Sequence, residues 1–331
     1  MTTVIKKTNF KPATTLFFLT PIISELLFGS TPVSRSYALI IESLLYGPAA
    51  LLIREFARRR NLGWASIIIL GFAFGILLEC LLLQSVFNPL FLGFDLSLGR
   101  TFGVNWLWGE TIITYHALWS ITLPILITEL IFPENKNEKW LKKSGLFLNG
   151  GLALLGCLAY FAIFYKMSNY IASPLHFIVA IVLIAALILL STKTGVSQKQ
   201  DFERPLYVYI LMIVTAFIAG GLWLSQINLI ALKGSGLSSW VIFLLALLVA
   251  VLFIIIIQKV FKFSDTSLQR LSIASGALLA SMLFGLIVLA GSGNKIDEYF
   301  QVGFIFITIT LLFVLRKHIL LKSTENYKNE I

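Results

Sequence analysis

Charge is scarce in this chain. Asp, Glu, Lys and Arg make up 13% of its 331 residues, about half of the roughly 25% usual in soluble domains. A soluble globular protein is therefore excluded. Cysteine is scarcer still. Cys80 and Cys157 fall in separate apolar runs, so no disulfide framework and no spaced metal motif is present. There is no P-loop, no dinucleotide fingerprint and no nucleophile motif, and so no cofactor signature. No loop is long enough for a separate soluble domain. The first apolar run contains Pro21 and Glu25, with no small-residue cleavage site after it, which argues against a cleavable signal peptide.

Apolar residues fill the rest. The chain is 58% hydrophobic, with a mean hydropathy of +0.89. Crossing a bilayer takes about 17–25 apolar residues, and ten such spans are legible: approximately 14–30, 37–56, 64–86, 110–132, 145–165, 173–191, 206–225, 237–257, 271–291 and 298–315. The expected fold is all-α, a polytopic bundle of about ten transmembrane helices. Of the 26 Lys and Arg, 21 fall in one alternating set of loops and five (Arg35, Arg100, Lys166, Lys233 and Lys295) in the other. Positive charge marks the cytoplasmic side, so both termini are expected there. The net charge of +10 is thus a topology signal. It points to anionic lipid headgroups of the bilayer as partners and away from nucleic acid.

The polar residues inside the spans are few and unevenly placed. Glu25, Glu42, Glu79 and His116 lie in the first four spans, each about 8–10 Å below the same face at about 1.5 Å of rise per residue. An ionisable group at such a depth costs several kcal/mol in lipid, about 2.5–3.5 on the mildest scale, so it faces protein or a cavity. The later spans are mostly aliphatic, with no clear repeat of the first. Residues 1–132 read as a four-helix half bearing the polar site, and residues 133–331 as a six-helix apolar supporting half of one membrane unit.

Gly71, Gly75 and Glu79 share one stripe of span three at i, i+4, i+8. The GxxxG pair lets another helix come close, which turns Glu79 toward a packed neighbour. His116 and Ser120 share a face of span four, with Pro124 one turn on. Glu42 and Tyr46 share a face of span two, where Gly47-Pro48 is expected to break the helix. Arg54, Glu55 and Arg58 to Arg60 read as an anchor at the membrane edge, and Glu110 and Glu129 as span-boundary residues. The outer loop, residues 87–109, is rich in Phe, Trp and Gly. It is expected to be a lid, a re-entrant segment or an interfacial loop.

Three Glu and one His admit three chemistries. They can activate water as a general acid–base pair, ligate a metal (one His is sparse for zinc), or relay protons in a transporter. A buried Glu that only hydrogen-bonds its neighbour has the same sequence signature.

The stretch from Glu79 through Cys80 to Gln84 resembles the first motif of the CAAX-protease and bacteriocin-processing family of intramembrane glutamate proteases, a Glu pair followed four residues on by Arg. Cys80 stands in place of the second Glu, and Gln84 in place of the Arg. The family's next motif places His four residues after Phe; here Ile112 precedes His116. The resemblance covers spans three and four. Together with the acid–base reading of the cluster, it makes the leading expectation a membrane-embedded hydrolase or protease with Glu79 as general base, His116 as acid or oxyanion stabiliser, and Glu42 and Glu25 orienting or tuning them. The alternatives are an ion-coupled permease and a non-catalytic, immunity-type membrane partner. The stretches SELLFGSTP, YGPAALLIRE and QSVFNP also resemble a group of uncharacterised bacterial multi-pass proteins, which implies a cell membrane location.

Overall fold

The computed structural model describes residues 10–195, 204–231, 238–262 and 266–329. Of the residues that set the expected topology, Lys6, Lys7, Lys199 and Lys233 lie outside them. The helices are α1 (Phe10–Pro21), α2 (Leu39–Arg59), α3 (Trp64–Ile76), α4 (Trp106–Tyr115), α5 (Leu123–Ile131), α6 (Lys143–Ser168), α7 (Pro174–Ser191), α8 (Leu206–Ala231), α9 (Ser239–Lys262), α10 (Ser267–Ser292) and α11 (Lys295–Asn329). Among the described residues, eight helical runs are long and apolar enough to cross a membrane. The other two expected spans fall on residues 10–26 and on α9. The architecture is that of an all-α, multi-pass membrane protein.

Three stretches within these helices are π-helical: Ile22–Leu26 after α1, Leu77–Leu82 after α3, and His116–Thr122 between α4 and α5. Their wider hydrogen bonds are direct, with Leu27 N–H donating to Ile22 O and Leu83 N–H to Leu78 O, each at 2.8 Å. Hydroxyls and a phenol satisfy the loosened backbone: Thr122 Oγ1 donates to Ala117 O at 2.7 Å, and Tyr115 Oη to Ser24 O at 2.6 Å. π turns of this kind concentrate at functional sites.

Of the eight membrane-length runs, Trp106–Ile131 is the most enclosed, with 78% of its most apolar stretch buried. Lipid is as apolar as Leu, so helices in a membrane associate by close packing and polar contacts. The structure shows how α3 reaches the enclosed run. A Cβ added at Gly71 would stand 2.7 Å from Ala117 O, and one at Gly75 2.8 Å from Ile113 O. Only glycine permits that approach.

Two buried clusters flank the enclosed run. One gathers Leu16, Leu45, Tyr46, Ala50, Phe74, Leu78, Ile121 and Ile125. The other gathers Ile23, Tyr115, Trp119, Trp223, Leu278 and Met282. His116 lies at their seam, with ring centroids 6.0 Å from Tyr46 and 5.3 Å from Tyr115.

One expectation is revised. Gly47-Pro48 does not break α2, which runs unbroken through both residues. Helix α1 is packed onto that point, where a Cβ on Gly47 would stand 2.5 Å from Phe17 O, and neighbouring helices let a membrane helix tolerate proline. The loop ahead of α4, which itself begins at Trp106 within 87–109, is ordered. It forms two tight antiparallel hairpins, β1 (Leu90–Phe91) with β2 (Phe94–Asp95) and β3 (Arg100–Thr101) with β4 (Val104–Asn105). Asn105 then caps α4 by accepting from Trp108 N–H at 2.8 Å, a standard N-cap bond.

Candidate functional site

The glycine contacts of α3 bring Glu79 opposite His116. Glu79 Oε1 lies 2.9 Å from His116 Nε2. His116 Nδ1 lies 2.9 Å from Ser120 Oγ. The second carboxylate oxygen, Glu79 Oε2, accepts from Ser85 Oγ, and Trp108 Nε1 donates to that hydroxyl at 2.9 Å. Glu79 is 2% exposed and His116 4%. A continuous polar chain thus runs Trp108, Ser85, Glu79, His116, Ser120 through an otherwise apolar interior. Glu79 and His116 each sit in a π-helical stretch, and so does Glu25.

Glu25 and Glu42 form the outer part of the cluster. Ser30 Oγ donates to Glu25 Oε2 at 2.5 Å, and Thr31 Oγ1 donates to Glu42 Oε1 at 2.6 Å. Glu25 lies on the π-helical stretch that packs against the one carrying His116, with Tyr115 Oη bonded to the neighbouring Ser24 O. Glu42 is buried, and among the described residues its Oε2 has no hydrogen-bond partner. A buried polar atom without a partner is costly. All four residues singled out by the sequence therefore converge on one polar region, where Ser30 is exposed and Glu25 half-buried at its outer edge. Among the described residues, no three His, Cys, Asp or Glu side chains are grouped to hold a metal.

At the opposite end of the bundle is a second polar centre that the sequence reading took for a membrane-edge anchor. Arg54 is fully buried. It pairs with Glu55 at 2.9 Å and Glu129 at 3.2 Å, and donates to the carbonyls of Glu138 at 2.6 Å, Lys136 at 2.7 Å and Asn135 at 3.2 Å. Its guanidinium lies 3.6 Å from the centroid of the Trp140 ring. Arg58 joins Glu129 at 2.7 Å, and Arg59 joins Glu55 at 2.7 Å across one helical turn. Glu129 is thus an internal ion-pair partner, not a boundary residue. The legible signal was position: Arg54 and Glu129 lie inside apolar runs, deeper than the Arg58–Arg60 cluster. The pairing between positions 75 residues apart was not legible.

Glu110 also turns inward. With the Gln226 amide oriented to satisfy its neighbours, its nitrogen donates to Glu110 Oε1 at 2.9 Å.

The hairpins rest on a polar base. Gln84 Oε1 accepts from Ala172 N–H at 2.7 Å. Arg100 Nη1 and Tyr170 Oη donate to the Phe87 carbonyl at 2.8 and 2.9 Å. Burial lowers the pKa of Arg100 and raises that of Tyr170. Gln84 thus holds the loop before α7.

A family model matches residues 15–322, the stretch that contains the whole polar cluster and the buried ion pairs; its description is "Uncharacterized membrane protein family". The chain belongs to this family. The match carries no resemblance to the CAAX-type proteases. No curated protein and no solved structure matches the chain. Family membership thus supports a multi-pass membrane protein, and the chemistry of the cluster has to be argued from its geometry.

Proposed function

We propose that this protein is an intramembrane hydrolase, with ten membrane-crossing helices, both termini cytoplasmic, and its site near the outer face of the cell membrane. The observation that carries the reading is the Glu79–His116 contact of 2.9 Å inside the bundle. A carboxylate held against an imidazole is the arrangement of a general acid–base pair. Glu79 is the base, His116 the acid, and Ser120 fixes the imidazole through Nδ1. Ser85 occupies the position on Glu79 Oε2 that an attacking water takes over when substrate binds. Glu25 and Glu42 tune the pair from the outer side.

One-sidedness supports an enzyme over a carrier. At one end the cluster is bordered by Glu25 and exposed Ser30, whereas toward the basic end its hydrogen-bonded chain stops at Ser120. Below the pair lie Leu16, Ala50, Leu51, Ile121 and Ile125, each 2% exposed or less. Among the described residues the π-helical breaks all fall before position 123, whereas repeat-built carriers break helices in both halves.

One observation favours a proton-coupled permease instead. Both Glu79 oxygens and both His116 nitrogens already have protein partners, which suits holding a proton more directly than activating water.

The test is complementation of a strain in which deletion gives a growth or processing defect. Glu79→Gln keeps the shape and removes the proton acceptor, so activity should fall by about 10²-fold or more. His116→Gln should match it, and the double variant should lose little beyond either single, as residues acting as a unit are not additive. A permease would instead show a shifted pH dependence of uptake into vesicles. Full complementation by the Glu25, Glu42, Glu79 and His116 variants, each expressed at normal level, would refute both readings.

A further inference from the structure

The helices after residue 132 carry none of the four site side chains, yet the last of them reaches the site through the segment between α1 and α2. Asp297, 3% exposed, accepts from Ser34 N–H at 2.9 Å and from Ser34 Oγ at 2.6 Å. Asn294 Nδ2 donates to the same carboxylate at 2.7 Å, which fixes its rotamer. One turn along α11, buried Gln301 donates through Nε2 to Leu27 O at 2.7 Å and to Met282 O at 3.1 Å. The segment is therefore tied at both ends, residues 27 and 34, to one helix.

Between those ties, α10 presses on the middle of the segment. A Cβ on Gly285 would stand 2.2 Å from Phe28 O, so the backbones touch there. Phe28 is held between Tyr115 and Phe284, at centroid distances of 4.3 and 5.5 Å. The inner side of the same segment presents Ser30 to Glu25 and Thr31 to Glu42.

We infer that Asp297 and Gln301 are positioning residues for the outer polar site, pinning residues 27–34 so that Ser30 and Thr31 hold the Glu25 and Glu42 carboxylates. The inference rests on the reading that these two carboxylates belong to the site. Two charge-assisted hydrogen bonds to Asp297 and one amide bond to Leu27 decide whether the segment stays down. Such bonds are shorter and stronger than neutral ones. Release of Asp297 frees the 34 end, and Ser30 and Thr31 move with it. The two carboxylates then open to the outer side while the Glu79–His116 pair, held by α3 and α4, stays in place.

The probe is N,N′-dicyclohexylcarbodiimide, an apolar reagent for carboxyl groups in membranes, with adducts quantified peptide by peptide in the full-length protein in vesicles. Asp297→Ala should raise the labelling rate at Glu25 and Glu42 by about tenfold, equivalent to about 1.4 kcal/mol. The rate at Glu110, which is held by Gln226 and touches none of the segment, should not change. Asp297→Asn, which keeps one acceptor, should fall between wild type and Ala. Ser34→Ala removes one bond without altering α11 and should give a smaller rise at the same two residues. It keeps the test open if Asp297→Ala does not fold.

Unchanged labelling at Glu25 and Glu42 in folded Asp297→Ala or Ser34→Ala would overturn the inference. So would a rise at Glu110 as large as theirs, which means general loosening. Labelling needs no substrate and can be read in the Glu79→Gln background, so failure here is distinct from failure of the hydrolase reading.

Discussion

Replacing Arg54 by Met is the sharpest perturbation of the packed core. The Met stem fills most of the space, so the change isolates the guanidinium. The carbonyls of Lys136 and Glu138 lose Arg54 as donor, while that of Asn135 keeps Trp140 Nε1 and the Glu138 N–H. Glu55 keeps Arg59 and the Trp140 N–H, and Glu129 keeps Arg58. Removing one partner of a buried ion pair costs about 3–5 kcal/mol, and each lost hydrogen bond to a charged group about 1.5–3 kcal/mol before relaxation. Because both carboxylates retain a second Arg, the expected loss is about 3–5 kcal/mol. The control is Arg60→Ala. Arg60 is exposed, with its guanidinium 3.9 Å from the Phe56 ring centroid, a contact worth about 0.5–1 kcal/mol. Equilibrium unfolding in mixed detergent micelles compares the two. Limited proteolysis should also show new cleavage within 135–141 in Arg54→Met and none in Arg60→Ala. A loss for Arg54→Met no larger than for Arg60→Ala would refute the view that this network fixes the basic end.

Gly75→Leu should separate α3 from α4, because the new Cβ would meet Ile113 O at 2.8 Å. Overpacking of this kind costs about 1–3 kcal/mol, and site activity should fall further than stability, since the same contact sets the Glu79–His116 distance. Cysteine accessibility in whole cells should place residues 87–109 outside and residues 133–143 inside; both loops on one side would overturn the proposed topology. His176→Ala should loosen the hairpins, because His176 stacks on Phe87 at 4.5 Å and bonds Phe102 O at 3.0 Å. Faster backbone hydrogen exchange across 87–105, with 106–131 unchanged, is the expected readout.

The sequence made most of the helices and the burial of their few polar side chains legible for one physical reason: in lipid, each polar group inside an apolar run is an exception that demands an explanation. Glu25, Glu42, Glu79 and His116 stood out on that basis, and the Gly71–Gly75–Glu79 stripe gave the side from which α3 meets α4. The same rule applies to Arg54 and Glu129. Their nearness to the span ends made a surface role look sufficient, although the structure buries both. Partner choice across long separations, as in Ser34 with Asp297, depends on how helices far apart in the chain come together. Local periodicity does not carry that. The hairpins of 87–105 were hidden because their strands are two residues each, too short for any alternation to register.

The π-helical stretches have a consequence for comparing this chain with relatives. A π turn accommodates about one residue more than an α turn of the same hydrogen-bonded helix. It therefore behaves as a one-residue insertion absorbed without a loop. Everything beyond it is turned by about 100°, the angular share of one residue at 3.6 per turn. A relative one residue shorter between positions 77 and 82, or between 116 and 122, would keep a helix of almost the same length and hydropathy. Its later residues would face other neighbours, and an ungapped alignment would place its glutamate or histidine beside this chain's while the folded side chains pointed apart. Single-residue gaps at these two places are thus where a shared ancestry and a shared chemistry would part company.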